Sequence, residues 1–232
     1  KKLKKNLNIL VENNVLYVAD NFGFLYALDY LQNKLLWAIN YKIPFRSNLK
    51  ISGNKIIISD QNNSLYLINK LDGTKIKILP TEETTLKNNF VNSLALDNNS
   101  TYFLNTYGSL YSLNNKNFKI NWFINLNQSL DLNPANLFYS NPITIYKDII
   151  IVSSNPNLYI LNKINGSINH KIVISSIIQP IVSGQNLFLV TENNLLVCIN
   201  INTGKIIYSL SIEQEIAKFL ETKKKSVNIR SL

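Results

Sequence analysis

Leu16-Tyr17-Val18-Ala19-Asp20-Asn21-Phe22-Gly23-Phe24-Leu25-Tyr26-Ala27-Leu28-Asp29 is two apolar runs of strand length joined by a short turn. Asn and Gly in that turn tolerate the backbone conformations of a tight hairpin. The closing phrase, Leu25-Tyr26-Ala27-Leu28-Asp29, returns as Leu65-Tyr66-Leu67-Ile68-Asn69, Leu110-Tyr111-Ser112-Leu113-Asn114, Leu158-Tyr159-Ile160-Leu161-Asn162 and Leu196-Val197-Cys198-Ile199-Asn200. The second residues of successive phrases lie 40, 45, 48 and 38 positions apart. That period belongs to stacked repeats, in which each unit buries the apolar face of its neighbour.

The rest of the chain falls on the same grid. Each phrase is preceded by a β-rich run such as Lys55-Ile56-Ile57-Ile58 and a turn such as Gln61-Asn62-Asn63, and is followed by a second turn such as Leu71-Asp72-Gly73-Thr74. Eleven residues past each anchor stand Trp37, Lys77, Trp122, His170 and Tyr208, a position suited to a side chain wedged between neighbouring units. Ahead of each later hairpin runs one more strand, at Leu49 to Ser52, Leu94 to Asp97, Pro142 to Tyr146 and Pro180 to Ser183, and Leu7 to Asn14 fills that place in the first unit. Four antiparallel strands in about 40 residues describe a β-propeller blade. Helical repeats of similar period are excluded by the dominance of β-branched and aromatic residues. The expected fold is therefore all-β, a single propeller domain over residues 1–232 with five four-stranded repeats. Val227 to Leu232 would begin a sixth unit, with Ile229-Arg230-Ser231 echoing Phe45-Arg46-Ser47, so both ends are expected to be cut within blades of a larger ring. The absence of methionine points the same way, to a processed or cut piece whose targeting segment would lie outside it.

Composition narrows the function classes. A net charge of +10 invites a nucleic-acid partner. The lysines, however, are scattered through turns, and arginine is reduced to Arg46 and Arg230, a usage expected of an AT-rich genome. The charge is read as a solvated basic surface, with an anionic lipid or acidic partner left open. No run of about 18 apolar residues occurs, so no transmembrane helix is expected. One cysteine, Cys198, excludes an internal disulfide framework.

The chemical candidates dissolve into the repeat. The lone His170 occupies the wedge position and has no Cys, Asp or Glu cluster beside it in sequence, so it makes neither a metal site nor a triad. Cys198 replaces a strand residue, and Tyr26, Tyr66, Tyr111 and Tyr159 recur at one packing position. Asp20, Asp29, Asp60, Asp72, Asp97 and Asp148 fall in turns or at strand ends. No phosphate cradle, Cys-x-x-Cys pair or His-Glu motif is present, and no catalytic, metal or cofactor residue is assigned. One segment lies off the grid: Glu213 to Lys225 spaces Ile216, Phe219 and Leu220 for a short helix, with acids first and bases last.

The stretch from Leu16 to Asp29, and Leu65 to Lys75 with its Asp72-Gly73-Thr74-Lys75 turn, resemble the pyrroloquinoline-quinone-type propeller repeat over nearly the whole chain. Two branches of that family matter. Quinoprotein dehydrogenases bind the quinone with calcium, acidic ligands and commonly adjacent cysteines, and this chain has one cysteine and no visible ligand set. The BamB branch, of non-catalytic outer-membrane lipoproteins, implies a ring of about eight blades. It also implies a periplasmic location at the outer membrane, a lipid anchor outside this sequence, no cofactor, and a protein partner in the barrel-forming subunit of the assembly complex. Members are thought to dock through a Leu-x-Leu-Arg-type segment, to which Ile43-Pro44-Phe45-Arg46 is similar as apolar-x-apolar-Arg, making Phe45 and Arg46 the expected partner-binding residues. Arg230, in a repeat copy, is equally placed. A fragment of a quinoprotein dehydrogenase and a ligand-sensing propeller are the alternatives.

Overall fold

The computed structural model describes residues 6–83, 91–127 and 137–221. The chain divides into two compact units, Lys1–Phe138 and Tyr139–Leu232. Strand-length apolar runs broken by Gly and Asn turns can pair locally, and they do so as antiparallel meanders. The first unit holds β1 (Leu7–Glu12), β2 (Val15–Asp20), β3 (Phe24–Asp29) and β4 (Lys34–Asn40), then β5 (Lys50–Ser52), β6 (Lys55–Ser59), β7 (Leu65–Asn69) and β8 (Lys75–Leu79), then β9 (Ser93–Leu96), β10 (Ser100–Leu104), β11 (Ser109–Asn114) and β12 (Ile120–Asn125). The second holds β13 (Thr144–Tyr146), β14 (Ile149–Ser154), β15 (Asn157–Asn162) and β16 (Ile168–Ile172), then β17 (Ile181–Ser183), β18 (Asn186–Val190), β19 (Leu195–Asn200) and β20 (Ile206–Ser211). Helix α1 (Ile212–Phe219) follows β20 directly. Each set of four is one sheet, its strands hydrogen-bonded in chain order.

Strand register places the repeat positions on one another. Trp37 pairs with Ala27, Lys77 with Leu67, Trp122 with Ser112, His170 with Ile160 and Tyr208 with Cys198. Every sheet shifts register one step later, after the residue opposite the wedge. A bulge conserved in place through every sheet bends the outermost strand in the same way each time.

The cores lie between sheets. Tyr17, Ala19, Leu25 and Ala27 of the first sheet meet Ile56, Ile58 and Ile68 of the second. Ile57, Leu65 and Leu67 on the opposite face of that second sheet meet Leu94, Phe103 and Leu113 of the third. In the second unit Ile151, Leu158 and Ile160 meet Leu187, Leu189, Val197 and Ile199. Alternation along β6 thus serves two cores, with Ile56 and Ile58 turned one way and Ile57 the other.

The wedge position behaves differently from sheet to sheet. Trp37 Nε1 donates to Lys70 O at 3.1 Å, and a Cβ on Gly73 would lie 2.6 Å from the indole. His170 Nε2 contacts Asn202 O at 2.9 Å, and a Cβ on Gly204 would lie 2.7 Å from its Nδ1. Both side chains therefore sit on the glycine turn of the next sheet, as a wedge should. Lys77 and Tyr208 depart from the expectation, since both are exposed. Opposite Lys77 the turn carries Phe118 at φ 55, 4 % exposed, where the equivalent turns carry Gly73, Gly166 and Gly204. The hydrogen bonds prove the equivalence: Gly73 N to Asn69 O, Phe118 N to Asn114 O, Gly166 N to Asn162 O and Gly204 N to Asn200 O. The aromatic ring between the second and third sheets is thus supplied from the turn side.

Helix α1 ends at Phe219 with Leu220 as its C-cap, and residues 222–225 of the stretch read from sequence lie outside the described residues. Its cap is Ser211, whose side chain accepts from Gln214 N, with Glu213 and Glu215 in the first turn and Lys218 in the last. Arg230 and the strand expected over Val227 to Leu232 also lie outside the described residues.

Candidate functional site

In the first three sheets the turn joining the second and third strands is closed by a side chain at or just past the end of the second strand. Asp20 Oδ1 accepts from Phe22 N and Phe24 N, both at 2.9 Å, and its Oδ2 accepts from Tyr26 Oη at 3.1 Å. Asp60 Oδ1 accepts from Asn62 N and Ser64 N in the same way, at 2.9 and 2.8 Å, and Tyr66 also bonds its carboxylate. Burial drives the Asp60 carboxyl above its ordinary value against the pull of those hydrogen bonds, and pushes Tyr66 up to about 12. In the third sheet Asn105 stands in the aspartate's place, accepting from Tyr107 N and Ser109 N at 3.0 and 3.1 Å. The missing carboxylate comes from Glu82, which accepts from Ser109 Oγ at 2.6 Å and from Tyr111 Oη and Asn105 Nδ2 at 2.7 Å. Burial alone would raise Glu82, but the hydrogen bonds from Ser109, Tyr111 and Asn105 outweigh it and hold the carboxyl below its ordinary value. Each of these acids is engaged in closing a turn.

The connector between the first two sheets runs across the same end of the unit. Gly23, at φ 91, lets it pass: a Cβ there would lie 2.5 Å from Ile43 O. Tyr41 N donates to Gly23 O at 2.8 Å, and Gln61 N to Pro44 O at 2.9 Å. Phe45, 2 % exposed, packs edge-on against Tyr41 and Tyr66 with centroids 5.4 and 5.8 Å away. Arg46 is gripped from both sides, its N donating to Ser59 O at 2.9 Å and its O accepting from Asn92 N at 2.6 Å. Ser47 Oγ accepts from Ser59 N, and Asn92 Nδ2 donates to Ser59 Oγ, each at 2.8 Å.

Phe45, Ser47 and Leu49 turn into the core, so Arg46, Asn48 and Lys50 share the other side of the extended chain. Asn48 is spent on the next sheet, donating to Leu94 O at 3.2 Å and accepting from Leu94 N at 3.3 Å. Burial pulls both Arg46 and Lys50 below their ordinary values. Arg46 remains a cation all the same. Its guanidinium makes no hydrogen bond or ion pair with any described residue, and its Nε is buried without a partner. Asn92 Oδ1, beside it, is also buried and unpaired.

Of the two site residues expected from sequence, Phe45 is thus a core residue that fixes the connector, and Arg46 is the one presenting unused donors. Sequence reasoning missed Glu82, Asn92 and Lys50. Lys50 shares Arg46's alternation and was legible. Glu82 and Asn92 lie in the variable stretch between repeats, where only folding shows what they touch. Cys198 is 1 % exposed, as its strand position implied.

Cys198 has no second cysteine to pair with, and among the described residues no three His, Cys, Asp or Glu side chains come together to hold a metal ion.

Five four-stranded antiparallel sheets with one repeated register define the class: these are blades of the pyrroloquinoline-quinone-type β-propeller. The chain belongs to the family described as outer membrane protein assembly factor BamB, whose model matches residues 3–209. It is similar in fold to BamB from Moraxella catarrhalis, with a TM-score of 0.74 and 15 % identity over 88 % of this chain and 63 % of that one. It is also similar to the computationally designed Ika8 protein, with a TM-score of 0.68 and 11 % identity over 88 % of this chain and 61 % of that one. Quinohemoprotein alcohol dehydrogenase from Comamonas testosteroni follows, with a TM-score of 0.67 and 10 % identity over 88 % and 42 % of the two chains. No curated protein matches the sequence.

Proposed function

We propose that this chain is the propeller of a non-catalytic periplasmic scaffold that supports assembly of outer-membrane β-barrel proteins. Its partner is the barrel-forming subunit of that machinery, docked through the connector that carries Arg46. The scaffold stands at the outer membrane, held by a lipid anchor outside this sequence. Family membership supports the scaffold role, and the Arg46 guanidinium carries the docking surface. Its backbone is held on both sides, and its donors are partly stripped of water with no acceptor among the described residues. A carboxylate on a partner would meet a planar fork already positioned, so little further ordering is needed to bind.

Calorimetry of the purified chain with the periplasmic domains of the barrel-forming subunit tests this. Arg46→Glu is expected to weaken association by at least about 2 kcal/mol, the range for truncating an interfacial hot-spot arginine. Arg46→Lys should lose part of the affinity while keeping the charge. Equal affinity in wild type and Arg46→Glu would remove the site, and dye-linked alcohol oxidation on adding the quinone with calcium would move the protein to the dehydrogenases.

A further inference from the structure

Lys50 opens β5, four residues past Arg46 and on the same side of the extended chain. At roughly 3.4 Å per residue the two backbone positions stand about 13 Å apart. Neither side chain makes a hydrogen bond or ion pair with any described residue. Every acid of the chain except Asp131 lies among the described residues, and none of them pairs with either cation. Asn48, between the two, cannot bridge them, because its amide is engaged with the backbone of Leu94. A second deficit lies across the connector. Asn92 is 1 % exposed; its N donates to Arg46 O and its Nδ2 to Ser59 Oγ and Asp60 O, yet its Oδ1 is buried without a partner, as is Arg46 Nε. Buried polar atoms left unpaired raise the free energy of the empty site, and an occupant that pairs them lowers it again. The site therefore calls for acceptors at two points along one strand and for a donor near Asn92.

We propose that the partner lays an extended acidic segment along this side of the connector, with two carboxylates four residues apart, one on Arg46 and one on Lys50. The inference rests on the docking role of Arg46 and adds the chemistry of what docks. Charge complementarity names the occupant, since two cations without a counter-ion face one way. A single carboxylate or phosphate could reach both only by drawing two long side chains together, whereas acids at i and i+4 of an extended strand match the spacing directly. A free oxyanion would also leave Asn92 Oδ1 unpaired, while a peptide brings backbone N–H groups beside its carboxylates. Arg46 offers a planar fork and Lys50 a point charge, so the first fixes orientation and the second fixes register.

Fluorescence anisotropy of the full chain with two labelled peptides of equal charge tests the proposal, one Glu-Thr-Val-Thr-Glu and the other its isomer Glu-Glu-Thr-Val-Thr. The spaced peptide binds more tightly, and less so at high salt. Lys50→Gln weakens the spaced peptide about fivefold, the upper range for a partly exposed charge pair, and weakens the periplasmic domains of the barrel-forming subunit alike. Lys50→Arg keeps the charge and retains the affinity, which separates a lost contact from a damaged fold. The proposal is overturned by equal affinity for the two peptides or by undiminished binding in Lys50→Gln. Arg46→Glu against the subunit tests the docking role by itself. Loss there with no effect of Lys50→Gln removes only the acidic segment, whereas no effect of either substitution removes both readings.

Discussion

Phe118 and Lys77 exchange the roles that Gly73 and Trp37 play one sheet earlier, and a double-mutant cycle measures that exchange. Phe118 is 4 % exposed among Ile57, Leu65, Leu67, Leu94 and Phe103, at a φ of 55 that glycine adopts without strain. Truncating a buried Phe costs about 3–5 kcal/mol, and returning a left-handed position to glycine recovers about 1 kcal/mol, so Phe118→Gly should lose about 3 kcal/mol. Lys77→Trp alone should be neutral or destabilising, because the Phe118 ring already fills the junction. Combined with Phe118→Gly it should restore part of the loss, with the indole lying on the new glycine as Trp37 lies on Gly73. The expected coupling is about 1–3 kcal/mol, the range for residues sharing one contact. Urea unfolding followed by far-ultraviolet circular dichroism on the four proteins reads it directly. Strict additivity of the two substitutions would refute the reasoning.

Glu82 predicts a pH signature. Its carboxyl lies below the ordinary value in the folded state, so its contribution is fully present above the unfolded value near 4.5 and is lost as pH falls through the folded value. Glu82→Gln should cost about 1–2 kcal/mol at neutral pH and flatten the acid limb of stability against pH; an unchanged acid limb in urea titrations would count against the assignment. Gly23→Ala combines a φ of 91 with a backbone contact at 2.5 Å, so strain of order 1–3 kcal/mol is expected. It should also weaken Arg46-dependent docking, because Ile43 must move. Normal melting with full partner affinity would show that the connector tolerates the displacement.

The strands were legible because period-two alternation and Asn or Gly turns are local signals. The run Lys55 to Ile58 falls within β6, and the early strands expected from Leu94 and Pro180 differ from those observed by one residue or so. The wedge position was legible as a position but not as a contact. Sequence spacing placed Lys77 there, yet what fills that junction is Phe118, because the neighbouring turn offers a ring where others offer a glycine. Arg46 stood out in the sequence through its rarity among lysines, and in the structure its Nε is buried without a partner, whereas Phe45 beside it packs in the core.

A sequence that repeats one phrase at blade-length intervals determines its own sheets, since each hairpin closes over a few residues and needs no distant partner. It determined the four-stranded meander of each repeat and the position of the wedge. Tertiary structure decided what lies in the stretches between repeats. There Glu82 took over the carboxylate that Asn105 lacks, Asn92 closed over Arg46, and the guanidinium was left with donors to spare. Those contacts join residues up to 46 positions apart whose meeting has no periodic signature, so only the packed sheets could bring them together.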